Sequence, residues 1–524
     1  MTVIGDLPRR NAYRRPDSIA FVAGDLRITW RQFNDRVNRL AGGLTALGLQ
    51  KGDRLAILST PRLEVVEAYF AAAKLGLIIV PIHTGLVDRE VGFMLSDVGA
   101  RAILIEDAYC GAFGQTIQGV ESIVHKISMG ASEGFRLFEE VANSGSSEEP
   151  PEIVADDELF AIRFTSGTTG LPKGCPSTHR DWLRRSMNFI AHVQHTHRDR
   201  AMLLSPLSLG VGSSMLMSYS LVGAAMYLLP RFDASAAIKM IEAEQITTFM
   251  IPVPTLFARF LDAPEMAGAN LGSLRMVGYG GAVFPLPLLR RTLERFRCDF
   301  FGVYGHLEAG GFSTYLMPED HRLDGCEGEA LEARIRRLGS CGREALQADV
   351  RVFNEFGVTV AQGEVGELVV RTEGMITDYW NRPGEIAKSI REGWFHTGDG
   401  AWIDQDGYVF ISDRLKDVIR SGGMNISAME VESIVLNLDG VADVAVVGAP
   451  DKRWGEIVIA CVVRKPGAMI ESDDIEAHCR DQLANYKTPK QIVFFDELPK
   501  NSMGKVLKRE LKDLVVDMGK ETAS

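Results

Sequence analysis

The run Thr165-Ser166-Gly167-Thr168-Thr169-Gly170-Leu171-Pro172-Lys173-Gly174 follows an apolar stretch, Leu159–Phe164, that reads as a strand. Its glycines free the backbone to turn N–H groups inward as an anion-binding nest, and four hydroxyls and a lysine add donors. Such a loop suits the phosphates of a nucleotide. It lacks the Gly-Lys-Ser/Thr ending of a Walker A loop, so the nest is of another kind. A flexible Ser/Thr/Gly linker is the bland alternative. The Pro-Lys-Gly at a fixed offset and the apolar strand in front argue against it.

Five further segments carry groups that could act on the same ligand. In chain order they are Gly280-Gly281-Ala282, Tyr304-Gly305-His306-Leu307-Glu308, Gly393-Trp394-Phe395-His396-Thr397-Gly398-Asp399, Asp413-Arg414-Leu415-Lys416-Asp417-Val418-Ile419 and Pro499-Lys500-Asn501-Ser502-Met503-Gly504-Lys505. With the first loop, they resemble, in order, the motifs of the adenylate-forming superfamily of acyl-CoA synthetases, luciferases and peptide-synthetase adenylation domains. The resemblance spans roughly residues 15–515, and the acyl-CoA synthetase branch is the one it favours.

The resemblance implies a role for each segment. Thr165, Ser166, Gly167, Thr168, Thr169, Gly170 and Lys173 hold phosphates. Gly280, Gly281 and Ala282 lie along adenine, and Tyr304 offers it an aromatic face. Glu308 holds Mg²⁺, a hard cation that prefers carboxylate and phosphate oxygens. Asp399 accepts hydrogen bonds from the ribose hydroxyls, and Arg414 adds a donor there. Lys505 bridges the attacking carboxylate and the α-phosphate, stabilising charge as pyrophosphate leaves. Lys416 is the hinge about which a small C-terminal domain turns, bringing Gly422 and Gly423 towards a narrow channel for coenzyme A. Asp451-Lys452-Arg453-Trp454-Gly455-Glu456 resembles the matching turn of CoA ligases, which puts Trp454 at that channel. Taken singly, Tyr304 reads as a core tyrosine, Glu308 and Asp399 as capping acids, and Lys505 as a solvated lysine. Only their places in the motifs say otherwise.

Two positions depart from the family pattern. Leu307 stands where the family has a threonine whose hydroxyl contacts the α-phosphate. Losing a hydrogen bond to a charged group costs about 1.5–3 kcal/mol, roughly ten- to a hundredfold in rate if it acts in the transition state. In Pro206-Leu207-Ser208-Leu209-Gly210, Ser208 and Leu209 replace an aromatic residue and a histidine, which widens the acyl pocket. Leu209, His306 and Leu307 are therefore the candidate acyl-pocket residues. One explanation is tailoring to a bulky apolar or aromatic acid. The other is an enzyme with weak or no adenylating activity that makes thioesters from acyl-AMP supplied by a separate adenylating enzyme. His306 either meets a polar substituent or is packed and satisfied by backbone. Met215, Met217 and Met226 read as pocket lining or plain core.

The elements that must position these groups alternate helix and strand. Thr29 is a plausible N-cap for a helix towards Leu47, Arg54–Leu58 is a strand, Leu63–Leu75 a helix ending at Gly76, and Leu77–Ile82 a strand. Ala201–Leu204, Ala225–Leu229, Thr247–Ile251 and Leu274–Tyr279 repeat the rhythm, which indicates parallel α/β sheets. Short strands at Ala348–Phe353, Gly366–Val370 and Tyr408–Ser412 indicate a small β-rich subdomain, and residues 141–157 a surface loop. The expected fold is α/β: a large N-terminal domain (residues 1–415) and a mobile α+β C-terminal domain (residues 416–524).

At 524 residues, 46% hydrophobic and 24% charged, the chain can bury a large core. A net charge of −12 without a basic block disfavours nucleic acid and anionic membranes as partners. No apolar run approaches the roughly 20 residues of a membrane helix. Seven scattered cysteines without a C-x-x-C pair suit reduced thiols and a cytoplasmic location. The implied ligands are ATP or acyl-AMP, Mg²⁺, coenzyme A and a small carboxylic acid. Within the superfamily the alternatives are amide-bond formation, luciferase-like oxidation and loading of a carrier-protein thiol, and outside it a nucleotide-binding regulator without chemistry. Oligomeric state, including a homodimer, is also open. A dehydrogenase is disfavoured because no G-x-G-x-x-G follows a strand in a βαβ unit.

Overall fold

The computed structural model describes residues 2–521 apart from 152, 166–171, 252, 283, 415–418, 422–423, 452–453 and 501–505. Contacts divide the chain into two compact units, Met1–Val350 with Val370–Phe395, and Arg351–Val369 with His396–Ser524. The boundary expected at Lys416 falls outside the described residues.

Local signals set the first elements. Thr29 Oγ1 accepts from the Gln32 N–H (3.3 Å) and Gln32 Oε1 accepts from the Thr29 N–H (2.9 Å), a reciprocal capping box that starts helix Trp30–Ala46. Helix Leu63–Leu75 ends on Gly76 at φ 66°, a left-handed cap that suits glycine. Strands Ala102–Ile105, Arg54–Leu58, Ile78–Ile82 and Leu159–Thr165 lie side by side in a seven-stranded sheet and run parallel. Its last strand, Lys173–Thr178, turns back antiparallel. A nine-stranded sheet holds Arg200–Leu203, Ala225–Leu228, Thr248–Ile251, Met276–Gly280 and Asp299–His306 in parallel, with Gly311–Leu316 antiparallel beyond them. The small β-sheet expected downstream contains Ala348–Phe353, Gly366–Thr372, Trp394–Ile403 and Val409–Arg414.

One core cluster takes residues from both large sheets and from the helices Leu63–Leu75, His179–Val193 and Gly210–Val222. Met215, Met217 and Met226 belong to it and are plain core. Helix Leu63–Leu75 is apolar around most of its circumference and accordingly buried on nearly every side. It also carries two charges inward, Glu67 and Lys74, 1% and 7% exposed. Arg36 Nε donates to Glu67 Oε1. Lys74 Nζ donates to Asn34 Oδ1 (2.9 Å), Asn38 Oδ1 (2.7 Å) and Glu149 Oε2 (2.5 Å). The segment 141–157 is therefore more than a surface loop: it begins inside helix Phe138–Asn143, and Glu149 then ties it to the core.

The second unit contains a sheet in which Val441–Asp451 pairs antiparallel with Gly455–Arg464, and Gln491–Phe495 adds in parallel. Strand alternation sorts its two faces: Val444 and Val446 pack with helices Ala428–Leu436 and Ser472–Gln482, Ala445 and Val447 with Lys508–Glu521. This is the expected α+β arrangement. Among the described residues no helix is long and apolar enough to cross a membrane.

Two stability effects follow from the buried polar groups. Glu149→Ala leaves the Lys74 ammonium without a counter-charge. Because the Glu149 side chain is 40% exposed, the expected loss is about 2 kcal/mol, below the roughly 3–5 kcal/mol of a fully buried pair. Urea denaturation measures it, and an unchanged midpoint contradicts the assignment. His321 is buried with Nε2 accepting from Tyr279 Oη and Nδ1 donating to Met317 O, both at 2.8 Å. Burial pushes it from the ordinary 6.5 down to about 4. A folded value below the unfolded one means that this contribution is complete above pH 6.5 and is lost as pH falls towards 4. At pH 5 the loss is about 2 kcal/mol. The wild-type midpoint is expected to drop between pH 7 and pH 5, and His321→Asn to flatten that slope.

Candidate functional site

Strands Leu159–Thr165 and Lys173–Thr178 pair antiparallel with Thr165 opposite Lys173, so these two residues stand together where the described strands end. Of the candidate phosphate-binding set, Thr165 and Lys173 are placed; Ser166, Gly167, Thr168, Thr169 and Gly170 lie outside the described residues. That end is held by the segment 376–386. The Trp380 N–H donates to Gly174 O (2.8 Å) and Arg382 Nη2 to Pro172 O (3.4 Å). Lys173 Nζ pairs with Glu385 Oε1 at 2.7 Å and stands 4.9 Å from the centre of the Tyr379 ring. Tyr379 Oη donates to Glu308 Oε1 at 3.2 Å. Glu308, Tyr379, Lys173 and Glu385 thus form one connected polar chain.

Glu308 reaches that position through a tight turn between Asp299–His306 and Gly311–Leu316, in which His306 pairs with Gly311. Only glycine fits at 305, where a Cβ would stand 2.0 Å from Gly311 O. The Ile376 N–H then donates to Glu308 O (3.0 Å), and Thr372 Oγ1 donates to Ala309 O (2.7 Å). Burial, followed by the nearby Glu308 carboxylate, pushes the Tyr379 hydroxyl well above its usual range, so it remains a donor at neutral pH. Gly280 ends strand Met276–Gly280 beside Val303, Gly281 follows at φ 74°, and Ala282 comes next. Tyr304 lies on the neighbouring strand, its ring centre 5.1 Å from that of His306. His306 also meets Phe395 at 5.4 Å, an aromatic setting. Leu307 packs against Cys175, Ile376, Tyr379 and Ile386. Leu209 is the N-cap residue of helix Gly210–Val222.

In the second unit Asp399 is 6% exposed, and its N–H donates to Thr397 Oγ1 at 3.0 Å. It stands opposite Arg414 in the register of Trp394–Ile403 with Val409–Arg414. Trp454 is exposed, and its N–H donates to Asp451 Oδ1 at 2.8 Å. Lys416, Gly422, Gly423 and Lys505 lie outside the described residues. Among the described residues no three His, Cys, Asp or Glu side chains gather as a metal cage. One carboxylate, Glu308, nevertheless suits Mg²⁺, which keeps water and phosphate oxygens as its other ligands.

Residues 8–380 match the AMP-binding enzyme family and residues 430–505 the AMP-binding enzyme C-terminal domain. The chain belongs to this family of adenylate-forming enzymes. It is 34% identical over 515 residues to a long-chain-fatty-acid–CoA ligase, FadD13, of Mycobacterium tuberculosis, covering 97% of this chain and 95% of that protein. It is 33% identical over 513 residues to a feruloyl-CoA synthase of an Amycolatopsis species, covering 97% and 98%. The crystal structure of the anthranilate CoA ligase AuaEII in complex with anthranoyl-AMP superimposes with a TM-score of 0.89 at 26% identity, covering 99% of this chain and 98% of that one.

Sequence reading did not single out Tyr379 or Glu385. The aromatic pair Tyr379-Trp380 beside Asn381-Arg382-Pro383 was the only local signal, and its partners lie some 70 and 200 residues earlier in the chain. Lys173 is paired with Glu385, so a phosphate reaching that lysine would have to displace the carboxylate. A partly exposed pair contributes about 0.2–1 kcal/mol, so Glu385→Ala is expected to tighten binding of a non-hydrolysable ATP analogue by about two- to fivefold in calorimetry. Weaker binding in that variant contradicts the competition.

Proposed function

We propose that this protein is an acyl-CoA synthetase that joins an apolar, bulky or aromatic carboxylic acid to coenzyme A through an acyl-adenylate. The observation that carries the reading is the connected chain Glu308–Tyr379–Lys173 at the foot of the Ser/Thr/Gly loop. Lys173 at the end of a strand pair and Glu308 in a tight turn support a cation for phosphate beside a carboxylate for Mg²⁺. Membership of the AMP-binding enzyme family supports the same reading. The relatives' names support the substrate range: one acts on long-chain fatty acids and another is a feruloyl-CoA synthase.

In this reading Lys173 and the segment Thr165 to Gly170 neutralise the phosphates, and Glu308, its carboxylate held by Tyr379, would hold Mg²⁺. Tyr304 and the strand end Gly280-Gly281-Ala282 take adenine; Asp399 and Arg414 take ribose. Lys505 stabilises charge on the α-phosphate as the acid displaces pyrophosphate. The domain then turns about Lys416, and Gly422, Gly423 and Trp454 admit the thiol. Leu307 has an apolar niche of its own among Cys175, Ile376 and Ile386, which favours tailoring over a lost first step. The working location is the cytoplasm.

The two half-reactions test this directly. Pyrophosphate release with ATP reports the first, and thioester yield from synthetic acyl-AMP reports the second, over aliphatic, aromatic and polycyclic acids. At least one acid is expected to support both, and Lys505→Ala to abolish pyrophosphate release while nucleotide binding persists. Leu307→Thr is expected to change the first rate by less than about tenfold. Thioester formed only from supplied acyl-AMP, with every acid, makes this protein a second-step enzyme dependent on another for adenylation.

A further inference from the structure

Strand Leu159–Thr165 sends Ile162 and Phe164 into one core cluster and Arg163 to the opposite face. There the Arg163 Cζ lies 4.5 Å from the centre of the Trp182 ring, and Nη1 donates to Ser213 Oγ at 3.4 Å. The residue is 4% exposed, and its Nε has no hydrogen-bond partner. Arg185, on helix His179–Val193, has Nε and Nη1 shielded from solvent and also without partners. Neither guanidinium forms an ion pair with a carboxylate among the described residues.

Elsewhere this interior pairs buried charges, among them Lys74, Glu67 and Asp199. Lys74 has Glu149, Arg36 has Glu67, and Arg275 forks onto Asp199. Buried charges are ordinarily compensated because desolvating an unpaired one is costly. Burial, and then the charge of Arg185, hold Arg163 down to about 9, where it is still a cation at neutral pH.

The pair lies beside the segments that carry the candidate acyl pocket. Arg163 Nη1 is 3.9 Å from where a Cβ on Gly210 would stand, at the N-terminus of helix Gly210–Val222 and next to Leu209. Ser208 Oγ, two residues earlier, is likewise buried and without a partner. Arg185 Cδ is 3.6 Å from the corresponding point on Gly311, the residue paired with His306. Burial, and then Glu308, push the Cys175 thiol up, against the charges of Arg163, Arg185 and Lys173, and Cys175 packs against Leu307.

We infer that Arg163 and Arg185 hold a second carboxylate of the substrate, so that the acid is a dicarboxylic acid with an apolar or aromatic body. One carboxyl is activated near Lys173 and Glu308, while the other meets the two guanidinium groups and the positive end of helix Gly210–Val222. A plain hydrocarbon tail would leave Arg163 buried without an anion, and the shielded Arg185 nitrogens with no more than the charge of Asp181 beyond ion-pair reach. This rests on the acyl-CoA synthetase reading.

The test compares kcat/KM for thioester formation with matched acids, one carboxylate against two, using straight-chain pairs and benzoate against the phthalate isomers. Wild type is expected to favour a dicarboxylate by about ten- to a hundredfold over its monoacid. Arg163→Met is expected to remove that preference and raise the monoacid value, with Arg163→Lys restoring part of it. Arg185→Gln provides a second variant, and thermal melts confirm that each folds. Calorimetry with the same dicarboxylates in the presence of AMP gives a readout independent of turnover. Turnover of monoacids with a ratio unmoved in every variant overturns the inference and leaves the synthetase reading standing. Dicarboxylate binding that is lost in Arg163→Met without turnover of any acid upholds the anion site and overturns the synthetase reading.

Discussion

An antiparallel strand closing a parallel sheet is the constraint on which the site depends. Leu159–Thr165 belongs to the parallel run, and Lys173–Thr178 returns against it with Thr165 opposite Lys173. A strand cannot slip by one residue without sending every side chain to the other face. Such a slip would carry Lys173 away from Tyr379 and, on the first strand, Arg163 into the cluster of Ile162 and Phe164. The bonds from Trp380 to Gly174 and from Arg382 to Pro172 hold the register from outside the hairpin. The pairing therefore fixes Lys173, while the turn at Glu308 and the segment bearing Tyr379 bring the other two groups to it.

The same interior shows two ways of burying charge. Around helix Leu63–Leu75 each charge has its partner within the chain, so the polar groups there are structural. Around strand Leu159–Thr165 the guanidinium groups of Arg163 and Arg185 are left with nitrogens unengaged. Burial is common to both places; what differs is whether the chain itself completes the hydrogen bonds. That difference separates a packing solution from a recognition surface more cleanly than exposure does.

Much of the frame was legible in the sequence because its signals are local. The Thr29 capping box, the Gly76 terminator and the apolar strands Arg54–Leu58 and Ala348–Phe353 each depend on residues a few positions apart. The motif segments around Thr165 and Glu308 were visible for the same reason. What escaped was set by distance along the chain. Glu149 looked like one acid in a Ser/Glu/Pro loop, and only the fold brings it to Lys74. Tyr379 and Arg163 carried no pattern of their own, since their partners come from other strands and helices. The segments around Lys416 and Lys505 stood out as motifs, though both residues lie outside the described ones, and the polar chain that ties Glu308 to Lys173 was not legible.

The lysine at the centre of the first core also bears on the order in which the chain can be completed. Domains generally fold as units during synthesis, N-terminal ones first. A nascent chain that has delivered helix Leu63–Leu75 but not Glu149 has two amide oxygens for the Lys74 ammonium and no counter-charge. Until that acid emerges from the ribosome, the helix carries a penalty against being enclosed. Because Lys74 and Glu149 belong to one compact unit, that unit closes at least cost once the segment 141–157 is made, just ahead of the strands that complete its sheet, Leu159–Thr165 and Lys173–Thr178.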